Sequence, residues 1–168
     1  MATSWTAIAS VTVGSGGAGT ISFTSIPSTY TDLCLKYSAR SNNSNTIDYV
    51  YINFNSNGYN ASMRWIQGTG SSVNGGSEAT GYLGTIDGNT ATASTFGSTD
   101  VYIPNYAGST NKSFSVDNVQ ETNATAAYMQ LLTGLWSNTS AITSITMKPD
   151  VNSFLQYSTA TLFGIKNS

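Results

Sequence analysis

Histidine is absent from the 168 residues, and cysteine occurs once, as Cys34. Without histidine there is no Ser–His or Cys–His nucleophile pair and no histidine-based zinc site. One thiol closes no intrachain disulfide and builds no cysteine-rich metal site. Cys34 therefore reads as a small, half-buried strand residue. No phosphate-binding Walker sequence, dinucleotide-binding glycine fingerprint or EF-hand acidic loop occurs.

Charge is scarce as well. Charged residues make up 8% of the chain, against roughly 25% in an average soluble domain. The six basic residues, Lys36, Arg40, Arg64, Lys112, Lys148 and Lys166, are scattered. No cluster matches a run of phosphates, so no nucleic-acid partner is expected. No window approaches the ~20 apolar residues of a membrane-spanning helix, and no basic amphipathic helix is present, so no membrane partner is expected either. Met1-Ala2-Thr3-Ser4-Trp5 has neither a positive n-region nor an apolar h-region and is expected not to act as a signal peptide. The Asn-x-Ser/Thr triplets starting at Asn42, Asn60, Asn111, Asn123 and Asn138 are expected to be unglycosylated.

Paired carboxylates are the remaining route to catalysis. Asp117 and Glu121 share a face of an unbroken strand but stand about 13 Å apart along it, beyond the ~5–9.5 Å of glycosidase pairs. The other acids, Asp32, Asp48, Glu78, Asp87, Asp100 and Asp150, read as strand and turn residues. No catalytic residue, metal ligand or cofactor site is assigned, and the chain is expected not to be an enzyme.

What is abundant is Ser, Thr, Asn and Gly, which disfavour helix and suit strands and turns. Apolar residues alternate with polar ones over much of the chain. Trp5, Ala7, Ala9, Val11 and Val13 form one such set, with Ile8 out of step. Leu33, Leu35, Tyr37 and Ala39 oppose Asp32, Cys34, Lys36 and Ser38. Val50, Ile52 and Phe54 precede the Asn55-Ser56-Asn57-Gly58 turn, and a strand follows over residues 59–67. Residues 68–76 read as a long Gly/Ser loop. Strands follow at 82–86, 96–103 and around Phe114 and Val116, with a bulge expected near Asn118. Residues 125–136 have spacing compatible with a helix, but Gly134 and the threonines favour a strand. The last strand is read from Phe154 to Ile165, with a bulge at Gly164. Roughly ten short strands in a single domain over residues 1–168 predict an all-β, antiparallel β-sandwich, jelly-roll-like in kind.

Tyr49, Tyr51, Tyr59, Trp65, Tyr82, Tyr102, Tyr106 and Trp136 suit ordinary packing, a sugar platform or a subunit interface. Tyr49 and Tyr51 stand out, because Val50, Ile52 and Phe54 already make the opposite face of their strand apolar. Together with Trp65 on the following strand they form the candidate subunit interface.

Several stretches resemble small structural proteins of tailed bacteriophages. They are Phe23-Thr24-Ser25-Ile26-Pro27-Ser28-Thr29-Tyr30-Thr31-Asp32-Leu33, Tyr102-Ile103-Pro104-Asn105-Tyr106, Ala124-Thr125-Ala126-Ala127-Tyr128, Gly134-Leu135-Trp136-Ser137 with Ala141-Ile142-Thr143-Ser144-Ile145, and Tyr157-Ser158-Thr159-Ala160-Thr161-Leu162-Phe163-Gly164-Ile165. The resemblance implies a jelly-roll-like virion module, a homotrimer either decorating the head or carried on a tail fibre. These are turn and core motifs, and no functional residue is carried over from them. Because Trp5 enters the first strand at once, with little room for a shaft, the expectation is a head decoration (cement) protein. It would stabilise the outer capsid surface, with the major capsid protein as partner. The alternative is a tail- or capsid-fibre receptor- or carbohydrate-binding module whose partner is a host surface glycan.

Overall fold

The computed structural model describes residues 4–123 and 127–166. Residues 124–126, part of the Ala124–Tyr128 stretch and of the 125–136 segment read above, lie outside the described residues. Twelve strands are described: β1 Ser4–Thr12, β2 Ile21–Phe23, β3 Asp32–Ala39, β4 Ile47–Phe54, β5 Ser62–Gly68, β6 Val73–Glu78, β7 Tyr82–Asp87, β8 Gly97–Ile103, β9 Lys112–Gln120, β10 Tyr128–Trp136, β11 Ile145–Pro149 and β12 Thr159–Lys166. No helical residue occurs among the described residues, and the ambiguous segment is strand β10.

The strands form an antiparallel sandwich of two unequal sheets. The larger runs β1-β12-β3-β8-β9-β10-β5-β6 and the smaller β2-β11-β4-β7. The sandwich expectation holds, but a division of eight strands against four does not establish the two-Greek-key order of a jelly roll. Strict alternation builds the interface between the sheets: β8 and β9 bury every second residue over their full length.

Register shows how the core is laid down. One row on the inner face of the large sheet reads Ala9, Leu162, Leu35, Val101, Val116, Leu132, Trp65 and Gly76 across all eight strands. Against the large sheet pack Val50, Ile52, Phe54 and Met147 of the small sheet. The next inner row turns polar: Tyr37, Thr99, Asn118, Gln130, Gln67 and Asn74.

This polar row fastens the small sheet's edge strand, β7. Asn118 Oδ1 accepts from Thr85 N at 3.2 Å, and its Nδ2 donates to Thr85 O at 2.9 Å. Gln130 Oε1 also accepts from Thr85 N, at 2.9 Å. Two side-chain amides thus stand in for the strand neighbour that β7 lacks. Gly84, at φ +101°, permits the approach, since a Cβ there would lie 2.5 Å from Asn118 Cγ.

Five local readings need correction. The Trp5–Val13 alternation is broken by a bulge between Ala7 and Ala9, with Ile8 unpaired. Trp5 and Ala7 therefore share the outer face with Phe163, while Ala9 and Val11 face inward opposite Leu162 and Ala160. Asn118 and Gly164 are not bulges, because register is unbroken through both. Asn118 is an inward polar residue, and Gly164 is the seat of the Tyr30 ring, which a Cβ would overlap. Residues 68–76 are mostly hairpin, with β6 paired to β5 from Val73 to Glu78. The final strand begins at Thr159 rather than Phe154, which instead makes single bridges to Ala18 and Ser41.

The seat at Gly164 supplies a test. Gly164→Ala is expected to cost about 1–3 kcal/mol, because the Tyr30 ring must leave its place between packed neighbours. Denaturant unfolding measures it, and Tyr30→Ala in the same background is expected to recover part of the loss.

Candidate functional site: an aromatic groove and an apolar sheet face

The hairpin β5–β6 continues the large sheet beyond the strands that β7 covers, so its outer face and the Trp65–Gln67 part of its inner face reach the surface, while Met63 stays in the core. Its inner face presents Met63, Trp65 and Gln67 on β5, with Glu78 and Gly76 opposite Met63 and Trp65. Across from it stand Tyr49 and Tyr51 of β4 and Tyr82 of β7. Together Tyr49, Tyr51, Tyr82, Trp65, Gln67 and Glu78 line a groove of about 340 Å³. The structure thus brings Tyr49, Tyr51 and Trp65, picked from sequence as one interface, into a single concavity.

Each wall is locally determined. Tyr49 and Tyr51 each pack against Tyr82, with ring centroids 5.7 and 6.2 Å apart. Lys148 Nζ sits 5.9 Å from the Tyr51 ring centre and 5.2 Å from that of Tyr59. Burial raises the Tyr51 hydroxyl above its ordinary value, and raises Tyr82 further. On the other wall the Trp65 indole lies over Gly76, where a Cβ would fall 2.7 Å from Cζ2. Its Nε1 is buried without a hydrogen-bond partner.

Gln67 and Tyr82 are oriented from beneath. The Thr85 backbone N–H fixes the Gln130 carbonyl oxygen, so Gln130 Nε2 must point the other way. It donates to Gln67 Oε1 at 2.7 Å and to Tyr82 Oη at 2.8 Å. That leaves the Gln67 amide N–H and the Tyr82 hydroxyl proton as donors. Gln67, Glu78 and Tyr82 did not figure in the sequence-chosen trio. Gln67 was legible in principle, since it shares strand parity with Met63 and Trp65.

The outer face of the same region is apolar. Val119, Met129, Gly68 and Val73 form one row across β9, β10, β5 and β6, and Asp117, Leu131, Ile66 and Gly75 the next. Ile66, Leu131, Met129 and Val73 are 52–70% exposed. A shallow depression of about 450 Å³ runs between them.

The remaining sequence candidates are separate. Asp117 faces outward on β9, and Glu121, just past its end, accepts from Asn123 N at 2.6 Å. Tyr106 and Trp136 are core residues. Cys34 is buried, and burial raises its thiol above the ordinary value. No group of three metal-ligating side chains occurs among the described residues. Two of the six bases are structural. Arg40 is bound by loop carbonyls, and Lys112 donates to the carbonyls of Gly108 and Thr110, each at 2.6 Å. Burial lowers Lys112 from its ordinary value.

Asp87 is a buried acid with a readable pH signature. Gln120 Nε2 donates to Asp87 Oδ1 at 2.5 Å, while Asp87 Oδ2 and Gln120 Oε1 are both buried acceptors without a partner. Burial raises the carboxyl above its ordinary value, and hydrogen bonds from Gln120 and Thr95 and nearby Arg40 oppose the shift without cancelling it. A raised folded value means that the native state binds the proton more tightly than the unfolded chain. Stability from this group is therefore greatest below the ordinary aspartate value and falls as pH rises through the folded one. Asp87→Asn is expected to stabilise the protein by about 1–2 kcal/mol at neutral pH, with the gain vanishing towards about pH 4. Urea unfolding of both forms across that range checks it, and a gain independent of pH would sink the assignment.

No family model, curated protein or solved structure matches the chain. What the described residues define is a twelve-stranded antiparallel sandwich.

Proposed function

We propose that this chain is a non-enzymatic structural protein of a tailed-phage particle. In this reading it is a homotrimeric decoration (cement) protein, seated on the outer surface of the head against the major capsid protein. The observation that supports the reading best is the apolar outer face formed by Val119, Met129, Leu131, Ile66 and Val73. Contiguous apolar area of this kind on a soluble domain marks a surface that another protein covers. The scarcity of charge favours the same use, since little ionic desolvation opposes close packing. We place the subunit contact on this face rather than at Tyr49, Tyr51 and Trp65, the interface expected from sequence, and its cyclic closure leaves no open interface to propagate. The resemblance of the turn and core stretches to phage virion proteins supplies the setting.

The test is sedimentation of the isolated chain together with its copy number and position on particles. A trimer, present in capsid-like numbers and labelled over the head, is the expected result. Labelling confined to the tail would overturn the decoration reading in favour of the fibre module.

A further inference from the structure

We propose that the groove between Tyr49, Tyr51 and Tyr82 on one side and Trp65, Gln67 and Glu78 on the other binds a neutral pyranose unit of a glycan. This site lies on the opposite face of the β5–β6 hairpin from the apolar surface, and it does not depend on how the protein is mounted.

A pyranose ring has apolar C–H faces and a rim of hydroxyls that both donate and accept. The groove offers the counterpart of each. Its walls carry four aromatic side chains, three of them in one cluster in which Tyr82 stands edge-to-face with Tyr49 at 5.7 Å and tilted against Tyr51 at 6.2 Å. Stacking on such rings desolvates the C–H face, while tyrosine and tryptophan tolerate a wet rim. Its volume of about 340 Å³ falls at the lower end of small-ligand sites.

The polar groups are set in advance. Gln130, anchored on the Thr85 backbone N–H, turns the Gln67 carbonyl and the Tyr82 hydroxyl oxygen towards itself. The Gln67 amide N–H and the Tyr82 hydroxyl proton are left to donate, and the Glu78 carboxylate to accept. Donors held in this way lose little freedom when a ligand arrives. The polar row of buried Asn118 and Gln130 and half-buried Gln67 leads to the groove, and its polarity is costly in a sandwich core. Gly76 points the same way. A glycine weakens an edge strand, yet only a residue without Cβ leaves room for the Trp65 indole, which is held there although its Nε1 has no partner.

The chemistry selects among ligands. No cationic side chain lines the groove among the described residues, and Glu78 repels an anionic sugar. An alkylammonium would be welcome to the rings and to Glu78, but it presents no acceptor to the Gln67 and Tyr82 donors. A neutral saccharide satisfies all three polar groups.

The experiment uses the full chain and titration calorimetry, with cellopentaose, maltopentaose, laminaripentaose and chitopentaose as neutral probes. The control probes are sialyllactose and tetramethylammonium chloride. At least one neutral probe is expected to bind with a Kd of about 1 mM or tighter. Tyr49→Ala and Glu78→Ala, both at surface positions, are each expected to weaken that binding about tenfold or more while leaving the melting temperature in place. Trp5→Ser, at an exposed position on β1 at the far edge of the large sheet, is expected to leave it unchanged. Absence of binding to all four neutral probes at about 10 mM, binding indifferent to both groove variants, or tighter binding of either control probe would overturn the proposal. None of these results bears on oligomeric state or particle position.

Discussion

Replacing Arg40 by methionine is expected to destabilise the protein by about 3–5 kcal/mol. Arg40 follows β3 and is 6% exposed. Its Nη1 donates to Thr92 O at 2.7 Å and Thr95 O at 3.1 Å, and its Nη2 to Ala91 O at 2.9 Å and Asn89 O at 3.2 Å. Residues 88–96, between β7 and β8, have no ladder of their own, and their carbonyls converge on this one guanidinium. Methionine matches the aliphatic stem but leaves the carbonyls of Asn89, Ala91 and Thr95 without the guanidinium donor, while Thr92 O keeps Thr95 Oγ1 at 2.8 Å, and it removes the positive charge near buried Asp87. Arg40→Lys keeps the charge, yet a single ammonium cannot reproduce the planar fork, so an intermediate loss is expected. Denaturant unfolding gives the magnitude, and hydrogen exchange is expected to accelerate first in residues 88–96. A loss below about 1 kcal/mol would mean that water replaces the guanidinium at those carbonyls.

Where one side of a strand is buried and the other wet, parity alone located it. β8 was legible in this way, with Thr99, Val101 and Ile103 buried and Ser98, Asp100 and Tyr102 outward. Parity also carried information that composition obscured. Asn118 and Gln120 keep the phase of Phe114 and Val116 and are buried like them, although a bulge was expected near Asn118. β6 was hidden for the opposite reason. Val73-Asn74-Gly75-Gly76 has the composition of a loop, and its strand character comes from pairing with β5 and from the Trp65 indole over Gly76.

Three of the turn and core stretches singled out in the sequence meet in space, which explains why they read as turn and core motifs. Tyr102 Oη donates to Asp32 Oδ2 at 2.7 Å, and Asn105 N donates to Asp32 Oδ1 at 2.8 Å. The Tyr106 hydroxyl bonds the Pro27 carbonyl, and Tyr30 covers Gly164. Three separated stretches thus build one corner of the sandwich, away from the groove. The Asp32 hydrogen bond, with burial added, pushes the Tyr102 hydroxyl up to about 12.

A strand apolar on both faces was the one signal of a working surface. It led to Tyr49 and Tyr51 and applies equally to β10. There Gln130, Leu132 and Trp136 are inward, while Met129, Leu131 and Leu135 are outward. That double apolarity is what made residues 125–136 compatible with a helix in sequence. Gln67 and Glu78 escaped notice because a polar residue at a groove looks, in one dimension, like any solvated strand residue.

Leu131→Lys is expected to abolish self-association while leaving the fold intact. Leu131 lies mid-face on β10, directly opposite Asp117 of β9 on one side and Ile66 of β5 on the other. A lysine there gains a cross-strand carboxylate partner, so the monomer is expected to change by no more than about 0.5 kcal/mol. In the assembled state the same ammonium would be shut between apolar surfaces built from Met129, Ile66 and Val73. Its desolvation costs several kcal/mol, which a single flanking Asp117 does not repay. Association is expected to weaken by about 100-fold or more, the equivalent of about 2.7 kcal/mol. Leu131→Glu would confound the result, because it sets two carboxylates opposite each other and strains the fold as well. Sedimentation equilibrium is expected to show the lysine variant as monomer at concentrations where the parent chain shows the proposed trimer, with an unchanged unfolding midpoint. A variant that remains trimeric and still occupies particles would remove the outer face of β10 and β5 from the subunit contact.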